Sequence, residues 1–159
     1  MMLLARTMAR GVLATLAVGS QNPIGLRNPQ SDPVDTAMSH PSIRLIDDDD
    51  LETISLCLYV EDDAVFAMGE RINEQCEDAY MNGYNWEALI LFWLKDKHPD
   101  LADGLETDPE AGMFAADYAK SDANRVKAKK FYDALAALVS DEEALTAYIL
   151  EHSEAIPWD

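Results

Sequence analysis

Carboxylates are the side chains this chain has in quantity for chemistry. Its 159 residues carry 30 Asp and Glu against 12 Lys and Arg, a formal net charge of −18. A glycosidase-type pair needs only two carboxyl groups held roughly 5–10 Å apart across a sugar bond. With so many acids such pairs arise by chance, so carboxylate abundance is no sign of catalysis. Asp47-Asp48-Asp49-Asp50 raises calcium, but the run lacks the spaced Asp-x-Asp-x-Asp-Gly pattern that curls a loop around the ion. It reads as a solvated charged turn. Nucleophiles lack a supporting cast: there is no Gly-x-Ser-x-Gly elbow and no Gly-rich phosphate loop carrying a Lys. His40, His98 and His152 are scattered, whereas zinc sites take several His or Cys at short spacings. Cys57 and Cys76, the two cysteines, form no Cys-x-x-Cys. They read as free buried thiols, with one disulfide as the other possibility. The expectation is a chain with no catalytic residues, no metal site and no cofactor.

Charge then narrows the partners. Nucleic-acid binding rests on Lys and Arg displacing counterions from phosphates, and an acidic surface opposes it. The same surface would avoid an anionic membrane face and would draw in a basic protein. Solubility is the plain alternative explanation of the charge.

The acids are unevenly spread. Residues 1–37 hold Arg6, Arg10 and Arg27 and no acid before Asp32, leaving 28 acids against nine bases, a net of −19, in residues 38–159. The apolar run GVLATLAVG spans Gly11 to Gly19, followed by a Pro-, Asn-, Ser- and Gln-rich stretch that reads as a linker. Three readings of 1–37 stay open: a disordered or spurious extension with Met38 as the working start, a signal peptide, or an organelle transit peptide. Nine apolar residues fall far short of the roughly 20 that span a membrane. The acidic remainder, 38–159, is expected to form a single domain in the cytoplasm, or in the periplasm if 1–37 includes a working signal peptide.

The elements of that remainder follow from periodicity. Ile43 to Ile46 predicts a short strand, broken by Asp47–Asp50. Thr53 to Val60 alternates, with Leu56, Leu58 and Val60 on one side and Ser55, Cys57 and Tyr59 on the other. Glu61, Asp62 and Asp63 suit the start of a helix expected over about Ala64–Tyr80, with Val65, Met68, Ile72, Cys76 and Ala79 inward. Asn82-Gly83 reads as a turn, with Gly83 supplying a positive φ, and Asn85 as the N-cap of a second helix. Trp86, Leu89, Ile90, Trp93 and Leu94 share a face of that helix; Leu91 and Phe92 make its other face apolar, predicting the most buried helix. Pro99 stops it. Asp100 to Gly112 reads as an acidic turn region, Met113 to Ala119 as a strand. Ser121 or Asp122 caps a helix running to about Val139 with Ala128, Phe131, Leu135 and Leu138 in a stripe. Ser140 and Glu143 form a capping box for a last helix, burying Ala144, Leu145, Tyr148 and Ile149. Strands mixed with longer helices, without βαβ alternation, predict an α+β fold: helices packed on a small, mostly antiparallel sheet.

Two stretches carry a resemblance. Asn82-Gly83-Tyr84-Asn85-Trp86-Glu87-Ala88 and, some twenty residues on, Asp108-Pro109-Glu110-Ala111-Gly112-Met113-Phe114 each make sense as scaffold: a turn and cap, and a turn entering a strand in which Gly112 gives backbone freedom. Together they resemble the immunity protein 51 family of bacterial polymorphic toxin systems. The likeness covers roughly residues 42–155, including the ISLCLYV strand upstream and the helical C-terminal third, and in related sequences Asp is expected in place of Asn85. It implies a protein that binds a cognate toxin, not an enzyme. If that toxin is a basic nuclease, an acidic partner would cover its active site by mimicking phosphate charge. Interface energy concentrates in aromatic and Arg residues ringed by complementary charge. On that ground the candidate partner-binding residues are Asp47, Asp48, Asp49, Asp50, Glu61, Asp62, Asp63 and Tyr84, while Trp86 is expected in the core.

Overall fold

The alternation of the apolar strand residues is realised in a computed structural model that describes residues 39–158. All readings of 1–37 therefore lie outside the described residues. In chain order the elements are β1 (Ile43–Ile46), β2 (Thr53–Tyr59), α1 (Asp63–Asn73), α2 (Gly83–Lys97), α3 (Pro99–Ala102), β3 (Leu105–Thr107), β4 (Met113–Ala119), α4 (Asp122–Ser140) and α5 (Glu142–His152). The four strands form one antiparallel sheet in the order β1-β2-β4-β3. The fold class is α+β, as expected.

Register decides which side chains meet. Ile54, Leu56 and Leu58 of β2 lie opposite Tyr118, Ala116 and Phe114 of β4, and Ile43 of β1 lies opposite Leu58. All seven are buried and join one core with Phe131 and Leu135 of α4, Trp86, Leu89 and Ile90 of α2, and Val65 and Ile72 of α1. Ser55, Cys57 and Tyr59 point the other way, opposite Asp117, Ala115 and Met113. Cys57 is buried yet stands outside that core cluster, and Ser55 donates a hydrogen bond to the Asp117 carboxylate across the strands.

Several boundaries differ from the sequence expectation. Helix α1 stops at Asn73 rather than near Tyr80. The Asn73 amide donates to the carbonyls of Cys76 and Glu77 (3.3 and 3.1 Å), turning the chain there. Cys76 and Ala79 are buried from turns, which is why helical spacing seemed to continue through them. Both cysteines are free. As expected, α2 ends before Pro99, at Lys97; beyond it Pro99 begins α3 at its first turn, where a missing N–H costs nothing. Within the expected acidic turn, Leu105–Thr107 pairs with β4 as a short edge strand.

The remaining corrections concern caps. Ser121, one of the two expected residues, caps α4 by accepting the Asn124 N–H at 3.1 Å. For α5 the cap is Asp141, accepting the Ala144 N–H at 3.0 Å, in place of the Ser140–Glu143 box. Leu145 and Ile149 face the core, whereas Ala144 is exposed and Tyr148 half-buried. Helix α2 buries one face; Leu91 on the other is 38% exposed, so α2 is not apolar to its surroundings all round.

Candidate partner-binding site

The two family-like stretches, about twenty residues apart, are in contact. Asn82, not Asn85, is the N-cap of α2: its side chain accepts the Asn85 N–H at 2.9 Å. Asn85 is instead fully buried inside the first turn, where its Oδ1 accepts the Met81 N–H at 3.0 Å. Met81 needs that support, because it is a buried non-glycine residue with φ of 54°. Gly83, the first residue of α2, donates its N–H to the Ala111 carbonyl at 2.9 Å. The sequence expectation that this glycine supplies a positive φ is not met; it is glycine because a Cβ would overlap the Glu110 carbonyl oxygen and lie 2.5 Å from that of Met113. Gly112 likewise serves by lacking a side chain: a Cβ there would fall 2.6 Å from the Glu61 carboxyl.

The second stretch is the β3–β4 hairpin. The Asp108 N–H donates to the Ala115 carbonyl, and Glu110 and Met113 exchange backbone hydrogen bonds of 2.8 and 3.1 Å around Ala111-Gly112. Glu87, one turn into α2, accepts the Thr107 hydroxyl, tying helix to hairpin again. Pro109 shapes the entry to the loop, while Asp108 and Glu110 stay exposed. Trp86 is fully buried, as expected. Its Nε1 and the Asn85 Nδ2 find no acceptor among the described residues.

Replacing Asn85 with alanine strands the Met81 N–H in the core. The expected loss is about 1–3 kcal/mol of unfolding free energy, the cost of an unmade buried hydrogen bond. Urea denaturation followed by tryptophan fluorescence measures it; an unchanged midpoint would show that the contact does not hold the turn.

The candidate acidic residues fall into two separate groups. Asp47–Asp50 link β1 to β2 at one end of the sheet, while Glu61, Asp62 and Asp63 follow the far end of β2. The six steps along β2 set the groups about 20 Å apart. At the first end two of the four acids, Asp47 and Asp49, already have cations. Arg125 Nε lies 2.7 Å from Asp47, Lys120 Nζ lies 3.6 Å from Asp47 and 3.7 Å from Asp49, and Arg125 also reaches Asp49 at 3.6 Å. The Arg125 hydrogen bond holds the Asp47 carboxyl below its ordinary range. The Asp48 carboxylate accepts the Asp50 N–H at 2.9 Å and turns the loop. Asp47 and Asp49 are therefore answered from within, while Asp48 and Asp50 have no ion pair among the described residues.

The other end differs. A cleft of about 250 Å³ lies between α1 and the Tyr80–Asn82 segment, lined by Glu61, Phe66, Gly69, Glu70, Tyr80 and Ala111 among others. Phe66 is 53% and Tyr80 68% exposed. Tyr84, 40% exposed, follows on the first turn of α2. Large exposed aromatics next to unneutralised acids are the composition that hot spots favour. Sequence reading named Tyr84 and Glu61–Asp63 as candidates and did not name Phe66, Tyr80 and Glu70, which the fold places at the same end. Phe66 and Glu70 lie four apart on one helical stripe, a signal present in the sequence but not distinguishable there from an ordinary solvated face.

Elsewhere, the Cys57 thiol is pushed up by burial and then by Asp117, and burial pushes Tyr118 up to about 12. A larger groove of about 620 Å³ beside α2 and the C-terminal turn mixes Lys95 with Asp96 and His152, so it has no single charge sign. Among the described residues, no group of three or more His, Cys, Asp or Glu is arranged to hold a metal ion, and no helix is long and apolar enough to cross a membrane.

A family model described as immunity protein 51 matches residues 43–154, from the first residue of β1 to just beyond α5, and takes in both docked stretches. The chain belongs to the immunity protein 51 family. No curated protein and no solved structure matches it significantly. In this immunity protein 51 family member, the stretches that carry the likeness mostly hold the α2–hairpin junction. Tyr84, Asp108 and Glu110 are polar side chains of these stretches left facing solvent.

Proposed function

We propose that this chain is an immunity protein that binds a cognate bacterial polymorphic toxin and neutralises it by occupying its surface rather than by catalysis. The observation that carries this reading is membership of the immunity protein 51 family over residues 43–154. The chemistry agrees with it. A net of −18 favours a basic partner and speeds encounter with one. A basic nuclease is the toxin class whose phosphate-binding site such a surface would cover, and a cytoplasmic encounter with it is the matching setting. Residues 38–159 are the part assigned to this task. Contacts are assigned to the Glu61–Asp63, Tyr80 and Tyr84 end of the molecule in preference to Asp47–Asp50, because Lys120 and Arg125 already answer Asp47 and Asp49 and because exposed aromatics stand at the former end.

The test is calorimetric titration of the full chain with the toxin domain encoded beside it, together with an assay of that toxin's activity. Nanomolar binding that abolishes toxicity is the expected result. An acidic adaptor is the competing reading, and no binding to the neighbouring toxin would favour it and remove the immunity assignment for that toxin.

A further inference from the structure

We infer that the cleft between α1 and the Tyr80–Asn82 segment is the seat of an arginine side chain presented by the partner protein. The inference rests on the binding role proposed above and specifies its anchor. Its volume, about 250 Å³, is below the roughly 300–1,000 Å³ of pockets that enclose small-molecule ligands. The space therefore fits one long side chain and not a helix or a cofactor.

The floor is made by two residues that depend on each other. Gly69 has no side chain, and a Cβ there would lie 2.9 Å from the Met81 Cβ. Met81 in turn holds its left-handed backbone through Asn85. That turn leaves the ring of Tyr80 standing 68% exposed beside a buried neighbour. Strained backbone kept next to an exposed aromatic is the kind of feature that accompanies binding sites.

The lining chemistry selects the occupant. Phe66 and Tyr80 offer ring faces, and Glu61 and Glu70 offer carboxylates; no Lys, Arg or His lines the cleft. Neither carboxylate has an ion pair among the described residues. Arg71, next to Glu70 in the chain, is turned to Glu142 through two hydrogen bonds of 2.7 Å. Glu61 is placed by packing, its carboxyl lying where any side chain at residue 112 would stand. A cation is therefore what the cleft can receive. Between the two common ones, guanidinium is planar, stacks on aromatic faces, matches carboxylates in bidentate fashion and is less strongly hydrated than ammonium. Arginine is the better complement.

The experiment is a titration of the 15N-labelled full chain with N-acetyl-arginine N-methylamide at physiological salt, followed by NMR, with the lysine and citrulline analogues in parallel. Saturable shifts are expected at Phe66, Gly69, Glu70 and Tyr80–Asn82, in the millimolar range. Citrulline keeps the shape without the charge and should bind about fivefold more weakly; Tyr80→Ala and Glu61→Gln should each weaken the arginine analogue by about three- to fivefold, in keeping with an exposed cation–π contact. Both positions are exposed, so these variants should fold. Shifts centred on Asp47–Asp50, shifts spread over the surface without saturation, or equal binding of citrulline or of the lysine analogue would overturn the assignment. A chain that neutralises its toxin while the cleft ignores arginine keeps the immunity role and loses this anchor. A cleft that takes arginine in a chain that binds no toxin does the reverse.

Discussion

Changing Gly83 to alanine lowers the stability of this protein by about 3 kcal/mol or more, with a fall in melting temperature of roughly 10 °C. By helix propensity the substitution should do the opposite, since alanine in place of a helical glycine stabilises by roughly 0.4–1 kcal/mol where the backbone allows it. The difference is contact. A methyl group at Gly83 would overlap the Glu110 carbonyl and crowd that of Met113. Both obstacles are backbone, so neither can rotate aside, and relief means separating α2 from the hairpin. Separation would also break the hydrogen bond from Gly83 to Ala111 and disturb the turn that seats Met81. Gly104 supplies a control of another kind. It has φ of +73° and nothing within 4 Å of a built Cβ. Alanine there meets only the left-handed penalty, about 1–2 kcal/mol. Thermal and urea denaturation of both variants decide the matter. A Gly83→Ala protein as stable as the parent would mean the junction is not tightly docked.

Salt moves the stability of the free chain and the affinity of the complex in opposite directions. The free chain carries a net of −18, and like charges on a folded surface repel one another. Raising ionic strength from about 0.01 M to 0.15 M shortens the Debye length from roughly 30 to 8 Å. Repulsion between exposed acids then fades, and the melting temperature of the free protein should rise. Internal pairs such as Asp47–Arg125 and Glu142–Arg71 weaken over the same range, but exposed pairs contribute little. For the complex proposed above, with a basic toxin, the attraction between the two surfaces would be screened instead. The association rate should fall by about ten- to a thousandfold, as for other steered encounters. Calorimetry and stopped-flow at the two salt levels, with melting curves of the free chain, test both halves. Binding that ignores salt would remove charge mimicry while leaving the immunity role. A melting temperature that falls with salt would show that the internal ion pairs outweigh the repulsion.

Much of the architecture was legible because strands and helices announce themselves through neighbours two, three or four residues apart. Met113–Ala119 was read as a strand to the residue, Ile43–Ile46 likewise, and α4 to within about one residue of its end. Misreadings gathered where a local rule had two satisfactory solutions. Asn82 and Asn85 are both good capping residues, and only the position of Met81 assigns one to the cap and the other to the core. Ser140 with Glu143 spells a capping box, but Asp141 accepts the bond. Leu105–Thr107 is too short to show alternation and becomes a strand because β4 offers it an edge.

The candidate site divides in the same way. Acid content and the likeness in residues 82–88 and 108–114 are properties of composition and order, so the sequence determined them by itself. What only the tertiary structure decided is which acids are free and which aromatics face outward. Asp47 and Glu61 look alike in a string of letters, yet Lys120 and Arg125, more than seventy residues downstream, answer the first, while the second lies against Gly112 and lines a cleft with Phe66 and Tyr80. The physical reason is range. Periodicity and capping depend on residues a few positions apart, whereas charge compensation and cleft formation depend on what the folded chain brings within a few ångströms, whatever the separation along it.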